Sequence, residues 1–219
     1  MNIYFDLDGT LIDVSERFYR IYCDLLDKFN CDIKLNKETY WQLKKERCTE
    51  EEIVHRTCIG ISSKEYSDLR QNVIESSRYL EYDRPFSYTL DTIKTLKKDN
   101  RLVIVSLRDS LKKTEMEIDK FGFKPFFDNV LVHNEDMNNK WKIKAELIKS
   151  DRGFNTGDSI VVGDTETDFL AAKEVGVDCF LVSSGIRARD YLASLNPGFV
   201  IENISELIMR INADSRHRG

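Results

Sequence analysis

The chain has 219 residues, a formal net charge of −5, 32% charged residues and 41% hydrophobic ones. Such a length suits one large domain or a core with an insertion, and the negative balance argues against a nucleic-acid surface. No stretch is long or apolar enough to span a membrane or serve as a secretory leader, and five scattered cysteines predict no disulfide framework, so a reducing, cytoplasmic setting is expected.

Ile3-Tyr4-Phe5 is a short apolar run that ends abruptly in Asp6-Leu7-Asp8-Gly9-Thr10. It reads as a buried strand delivering its last side chains to an edge. Alternation along a strand places Asp6 and Asp8 on one side. Two carboxylates about 4 Å apart repel by about 4 kcal/mol at a near-surface dielectric, so the pair needs a cation between its members or a proton on one. The plainer alternative is that the acids only end a strand.

Helical spacing follows at once. Phe18, Tyr22, Leu25 or Leu26 and Phe29 recur at three- and four-residue steps from Ser15. Asn36 is placed to cap a second helix with Tyr40 and Leu43, and Thr49 with Glu52 forms a capping box for a third. Ser62 with Glu65 opens a fourth, carrying Leu69, Val73 and Leu80. Residues 14–83 are therefore predicted to be a helical insertion over the edge where Asp6 and Asp8 emerge. His55 and Cys58 are the only pair near zinc spacing, and two ligands do not make a zinc site.

Arg84-Pro85 closes the insertion, since the residue before proline disfavours helix. Helix Ser87–Asp99, strand Leu102–Ser106, helix Ser110–Phe121 stopped by Gly122, strand Asn129–Val132 and helix Trp141–Ile148 are predicted next. Strand Ile160–Val162, helix Glu166–Val175 and strand Cys179–Val182 follow, with two weaker βα units at the end. Strands that are apolar throughout and alternate with helices predict a Rossmann-like α/β parallel sheet covered on both faces. The expected division is a core of residues 1–13 and 84–212, a helical cap of residues 14–83, and a loose tail at 213–219.

Ligands of open parallel sheets bind beyond the carboxyl ends of the strands. Three strands end there in Asp6, Ser106 and Gly163-Asp164, and Asp168 follows Asp164 at a helix start. Capping alone accounts for an acid at a helix start, and Ser106 alone suits a turn.

Together these segments resemble the haloacid dehalogenase-like hydrolases. Asp6-Leu7-Asp8-Gly9-Thr10 is similar to the family's first motif, Val103–Ser106 to its second and Gly163–Asp168 to its fourth. Lys140, Lys142 and Lys144 compete for the third. Lys144-Ala145-Glu146-Leu147-Ile148 resembles the family's helix start and favours Lys144, although the proline many relatives carry is missing. The helical insertion is similar to the family's α-helical caps.

The resemblance implies a Mg²⁺-dependent phosphatase acting on a small phosphorylated metabolite as monomer or homodimer, with no nucleic-acid or membrane partner. Asp6 would be the nucleophile that forms an aspartyl-phosphate, and Asp8 the general acid and base. Asp6, Asp8 through its backbone carbonyl, Asp164 and Asp168 would hold the metal. Ser106, Lys144, Leu107, Thr10 and backbone N–H groups would hold the transferring oxygens. Arg17, at the start of the cap, and Arg108, after the second motif, are the candidates for substrate contact, with hinge ion pairs as the alternative. A phosphomutase of the same family and an inactive phosphometabolite-binding regulator are the competing readings. Dehalogenase chemistry has no role for Asp8, a phosphonatase would need a better cap lysine than Lys28, and a receiver switch would lack the insertion.

Overall fold

Strand β1 (Asn2–Phe5) is buried at every position, as a strand covered on both faces must be. The computed structural model describes residues 1–58, 60–133 and 139–215, with side chains to residue 211 at the carboxyl end. After β1 comes β2 (Ile12–Asp13), then helices α1 (Ser15–Lys28), α2 (Lys37–Lys45), α3 (Glu50–His55), α4 (Ser63–Val73) and α5 (Ser77–Leu80). The chain returns through β3 (Arg84–Pro85), α6 (Thr89–Leu96), β4 (Arg101–Ser106), α7 (Leu111–Lys120) and β5 (Asn129–Val132). It continues through α8 (Lys140–Ser150), β6 (Ser159–Gly163), α9 (Glu166–Val175) and β7 (Asp178–Val182), then α10 (Arg189–Ser194), β8 (Phe199–Ile201) and α11 (Leu207–Ser215).

Six strands form one parallel sheet in the order β5–β4–β1–β6–β7–β8. Side chains alternate between its faces: Ile3 and Phe5 join one apolar core, Tyr4 the other. From β1 the chain builds outward on one side through β4 and β5 and on the other through β6, β7 and β8. The switch point falls at β1, and a crevice opens beyond the carboxyl ends of β4, β1 and β6. The predicted Rossmann-like α/β sheet is therefore the observed one.

The helices between β2 and β3 are made much as their caps demand. Asn36 accepts the Thr39 N–H at 2.8 Å, and the Thr49–Glu52 capping box closes in both directions. Tyr22 and Tyr40 stack at 4.9 Å in the centre of this layer. The predicted fourth helix breaks into α4 and α5, because Ser76 starts a new turn and accepts N–H groups from Tyr79 and Leu80. Cys31 and Cys58 form a disulfide with Cα atoms 5.7 Å apart, a single link that the scattered cysteines did not announce. Their sequence separation of 27 hid the pair.

The two chain crossings into and out of this layer are themselves paired. β2 and β3 run antiparallel, Ile12 opposite Pro85 and Asp13 opposite Arg84. Both strands are two residues long, below what a periodicity can reveal. On the far side the insertion meets the core directly: Arg187 Nη1 donates to the Lys44 carbonyl at 3.1 Å, and the Ala188 N–H donates to that of Lys45 at 3.2 Å. At the carboxyl end one strand, β8, replaces the two βα units expected, and α11 carries residues 213–215 in a helix where a loose tail is expected. Residues 216–219 lie outside the described residues. Among the described residues no helix is long and apolar enough to cross a membrane.

Candidate active site

The crevice at the switch point is a cavity of about 390 Å³ whose lining includes Asp6, Asp8, Ser106, Leu107, Arg108, Lys144 and Asp164. All but Lys144, which comes from α8, follow the end of a sheet strand. The Asp6 N–H donates to the Val162 carbonyl at 2.8 Å, so the β1–β6 ladder holds Asp6 before the chain turns away. That turn is tight. The Leu7 carbonyl accepts N–H groups from Thr10, Leu11 and Ile12, and Gly9 adopts a φ of +86° that other residues resist. Asp8 therefore reaches the cavity through a turn, and the strand alternation argument stops at Asp6.

Asp6, Asp164 and Asp168 place carboxylate oxygens within 4.8 Å of one another. Lys144, 3% exposed, enters this group from α8, with its ammonium 2.5 Å from Asp6 Oδ1 and in contact with Asp168 Oδ1. Of the three candidate lysines it is the one that reaches the aspartates; Lys140 lines the cavity farther out, and Lys142 lies over the Trp141 ring. Asp168 also caps α9, its Oδ2 accepting the Thr165 N–H at 3.0 Å and hydroxyl at 2.9 Å. Both of its oxygens are thus in use, which sets it behind Asp6 and Asp164.

Asp164 is the open member. Its Oδ2 accepts the Ile186 N–H at 2.6 Å, while its Oδ1 is buried without a hydrogen-bond partner. Gly9 and Gly185 close around this carboxylate, and a Cβ on either would overlap it. A buried carboxylate oxygen left bare beside two further acids fits an oxygen-seeking divalent cation. Asp6 and Asp164 would hold such an ion, with Asp168 supporting. Burial pushes Asp6 up to about 7; Lys144 opposes that rise, and Asp168 adds to it. Burial, then Asp6 and Asp168, push Asp164 well above the usual range.

Asp8 has the opposite surroundings. Its Oδ2 accepts from Arg17 Nη2 at 2.7 Å, and its Oδ1 from Arg108 Nη2 at 2.5 Å. Burial favours its neutral form, but Arg108 and Arg17 outweigh burial and hold the carboxyl below the carboxylate range. With the side chain so engaged, a metal would find only the Asp8 backbone carbonyl. Behind these arginines lie two further acids: Asp83 contacts both, and Glu117 pairs with Arg108.

Ser106 and Leu107 line the cavity as expected. Thr10 does not: it is fully buried, and its hydroxyl lies outside the lining. Arg17, expected at the substrate, is 1% exposed and sits behind Asp8, whereas Arg108 does line the cavity. The sequence reading missed Lys44, Arg70 and Arg187 in the lining, the Ile186 N–H, and Asp83. Asp83 stands next to Arg84-Pro85, where the insertion ends, and that position was its one visible signal.

The profile of the haloacid dehalogenase-like hydrolases matches residues 3–182. The chain is similar to the pyrophosphatase PpaX of Halalkalibacterium halodurans, 27% identical over 98% of each chain. Among solved structures it is similar to a haloacid dehalogenase-like hydrolase of Streptococcus pneumoniae, with a TM-score of 0.78 at 18% identity over 96% of this chain and 97% of that one. It is also similar to a protein described as the HAD-hydrolase YfnB of Bacillus subtilis, solved bound to magnesium, with a TM-score of 0.68 at 17% identity over 96% and 98%.

A raised carboxyl in the fold contributes stability that is fully present below its unfolded value, about 4, and is lost as pH rises through its folded value. For Asp6 that loss runs up to about pH 7. A divalent cation bound by these carboxylates replaces the protons, so it should raise the thermal midpoint more at pH 8 than at pH 5. An equal or inverted increment in a melting assay would show that the aspartates do not hold the ion.

Proposed function

The chain belongs to the haloacid dehalogenase-like hydrolases, and from that membership and the site geometry we propose that it is a Mg²⁺-dependent phosphatase of small phosphorylated metabolites. One observation carries the reading: Asp6 meets Lys144, Ser106 and the bare Oδ1 of Asp164 in a single cavity at the sheet's switch point. Asp6 attacks phosphorus, the bond to the leaving oxygen breaks, and an aspartyl-phosphate forms on Asp6. Asp8 gives a proton to the leaving oxygen and later takes one from the water that frees phosphate. Lys144 and Ser106 hold the transferring oxygens. Magnesium at Asp6 and Asp164, when bound, neutralises the charge on acids and phosphate.

Asp8 is ionised beside its arginines, so its role as acid requires a gain of proton affinity when substrate enters. Arg108 supplies the route. It lines the cavity, and an incoming phosphate dianion competes with Asp8 for its guanidinium. The added negative charge and the weakened cation contact both raise the affinity of Asp8 for a proton.

Lys44, Arg70 and Arg187, which also line the cavity, bear on the leaving group. Lys44 Nζ lies 2.8 Å and Arg70 Nη2 3.4 Å from the same Glu50 Oε1, so two cations share one carboxylate. Arg187 is matched by Glu166 at 2.9 Å. The surplus positive charge at Lys44 and Arg70 favours a leaving group with its own anionic centre. Pyrophosphate meets that requirement, and it is the substrate named for the PpaX relative.

Asp6→Asn should leave the thermal midpoint near wild type and lower turnover of 4-nitrophenyl phosphate by at least about 10³-fold; unchanged turnover would remove Asp6 as nucleophile. Lys144→Ala should cost far more activity than Lys140→Ala or Lys142→Ala. Arg70→Gln should lower kcat/KM for pyrophosphate by about 10- to 100-fold, the scale of a charged hydrogen bond, and change that for 4-nitrophenyl phosphate much less. Equal losses on both would refute an anion site at Arg70.

A further inference from the structure

Asp83 is a carboxylate with no exposed surface, at the point where the chain leaves the helical layer. A buried carboxylate costs several kcal/mol unless it is paired, and its two charged partners lead to the same place. Its Oδ1 lies 3.2 Å from Arg17 Nε, and its Oδ2 accepts from Arg108 Nη2 at 3.1 Å. Each of these guanidinium groups also binds Asp8, Arg17 on Oδ2 and Arg108 on both oxygens. Arg17 belongs to the helical layer and Arg108 to the core. Asp83 therefore stands behind both arginines while Asp8 stands in front.

We propose that Asp83 is a positioning residue for the proton-transfer step, fixing through Arg17 and Arg108 the direction in which Asp8 presents its carboxyl to the leaving oxygen. The inference rests on the reading of Asp8 as general acid. Arg17 is the member that most needs the anchor: it is 1% exposed, its Nε and Nη1 are buried without a hydrogen-bond partner, so that Asp83 meets it as an ion pair alone, and among the described residues its ion pairs are to Asp8 and Asp83. Arg108 retains Glu117 in any case. With Asp83 replaced, Arg17 loses the side chain against its Nε and keeps Asp8 as its one ion-pair partner among the described residues. The acid is then drawn back from the cavity toward the guanidinium groups.

A residue acting through Asp8 matters only where the leaving group needs a proton. An alkyl phosphate expels a strongly basic alkoxide and depends on the acid, whereas 4-nitrophenyl phosphate releases a stable phenolate without it. Because kcat/KM reports the steps through phosphoryl transfer to Asp6, later hydrolysis does not mask the difference. Asp83→Asn should lower kcat/KM for an alkyl phosphate by about 10- to 100-fold, at or below the usual range for general acid catalysis, and that for 4-nitrophenyl phosphate by less than about threefold. Equal losses on both substrates, or no loss on either, would overturn the proposal.

Asp8→Asn serves as the control and should show the same leaving-group dependence in larger measure. If it does and Asp83→Asn does not, the role of Asp83 falls while Asp8 remains the acid; if Asp8→Asn shows none, both fall. Should Asp83→Asn fail to fold, Asp83→Glu keeps the charge but displaces it by one methylene. It should then lose more on the alkyl ester than on the nitrophenyl ester, and an even loss would overturn the proposal as well.

Discussion

The ammonium of Lys144 between Asp6 and Asp168 is the interaction on which the site depends. Three strand and helix ends bring Asp6, Asp164 and Asp168 to one point, and packed that closely they repel strongly. One buried cation meets two of the three, and the third is left with a bare oxygen. The protein thus completes part of the charge balance and leaves a place for more. Folding tolerates the arrangement because each acid has a second tie: the β6 ladder for Asp6, the Ile186 N–H for Asp164 and the α9 cap for Asp168.

Topology explains why the helical layer enters where it does. An insertion directly after β1 leaves the sheet at the one strand whose neighbours on both sides diverge, so its helices come to lie over the crevice. The β2–β3 ribbon carries both crossings, and the Arg17, Arg108 and Asp83 cluster sits beside it. The layer is also fastened at its far side, through Arg187 to the Lys44 carbonyl and Glu75 to the Asp109 N–H at 3.0 Å. Residues from both halves consequently face one another across the same cavity.

What could be read from the sequence was what is local. Asp6, Ser106 and Asp164 each follow an apolar run, so their strands and their common edge were visible without contacts. Lys144 stood out less, since three lysines share one helix start and only burial separates them. The arginine partnerships were out of reach. Arg108 meets Asp8 across 100 residues and Asp83 across 25, and no pattern marks those pairs. Thr10 misled for a related reason: it stands in a motif beside two acids, yet the Leu7 turn sends its side chain into the interior. Two-residue strands and the Cys31–Cys58 link leave no periodic trace at all.

Asp6 and Asp8 are two positions apart, and their surroundings push them in opposite directions. Burial carries Asp6 up to about 7, while the arginines hold Asp8 ionised. Yet the proposed chemistry asks for the reverse, an ionised nucleophile and a protonated acid. The charges that the reaction brings supply the inversion. A dication near Asp6 favours its carboxylate, and a phosphate dianion near Asp8 favours its carboxylic acid. In the proposed chemistry each aspartate gains the form its role needs from the charge that arrives beside it.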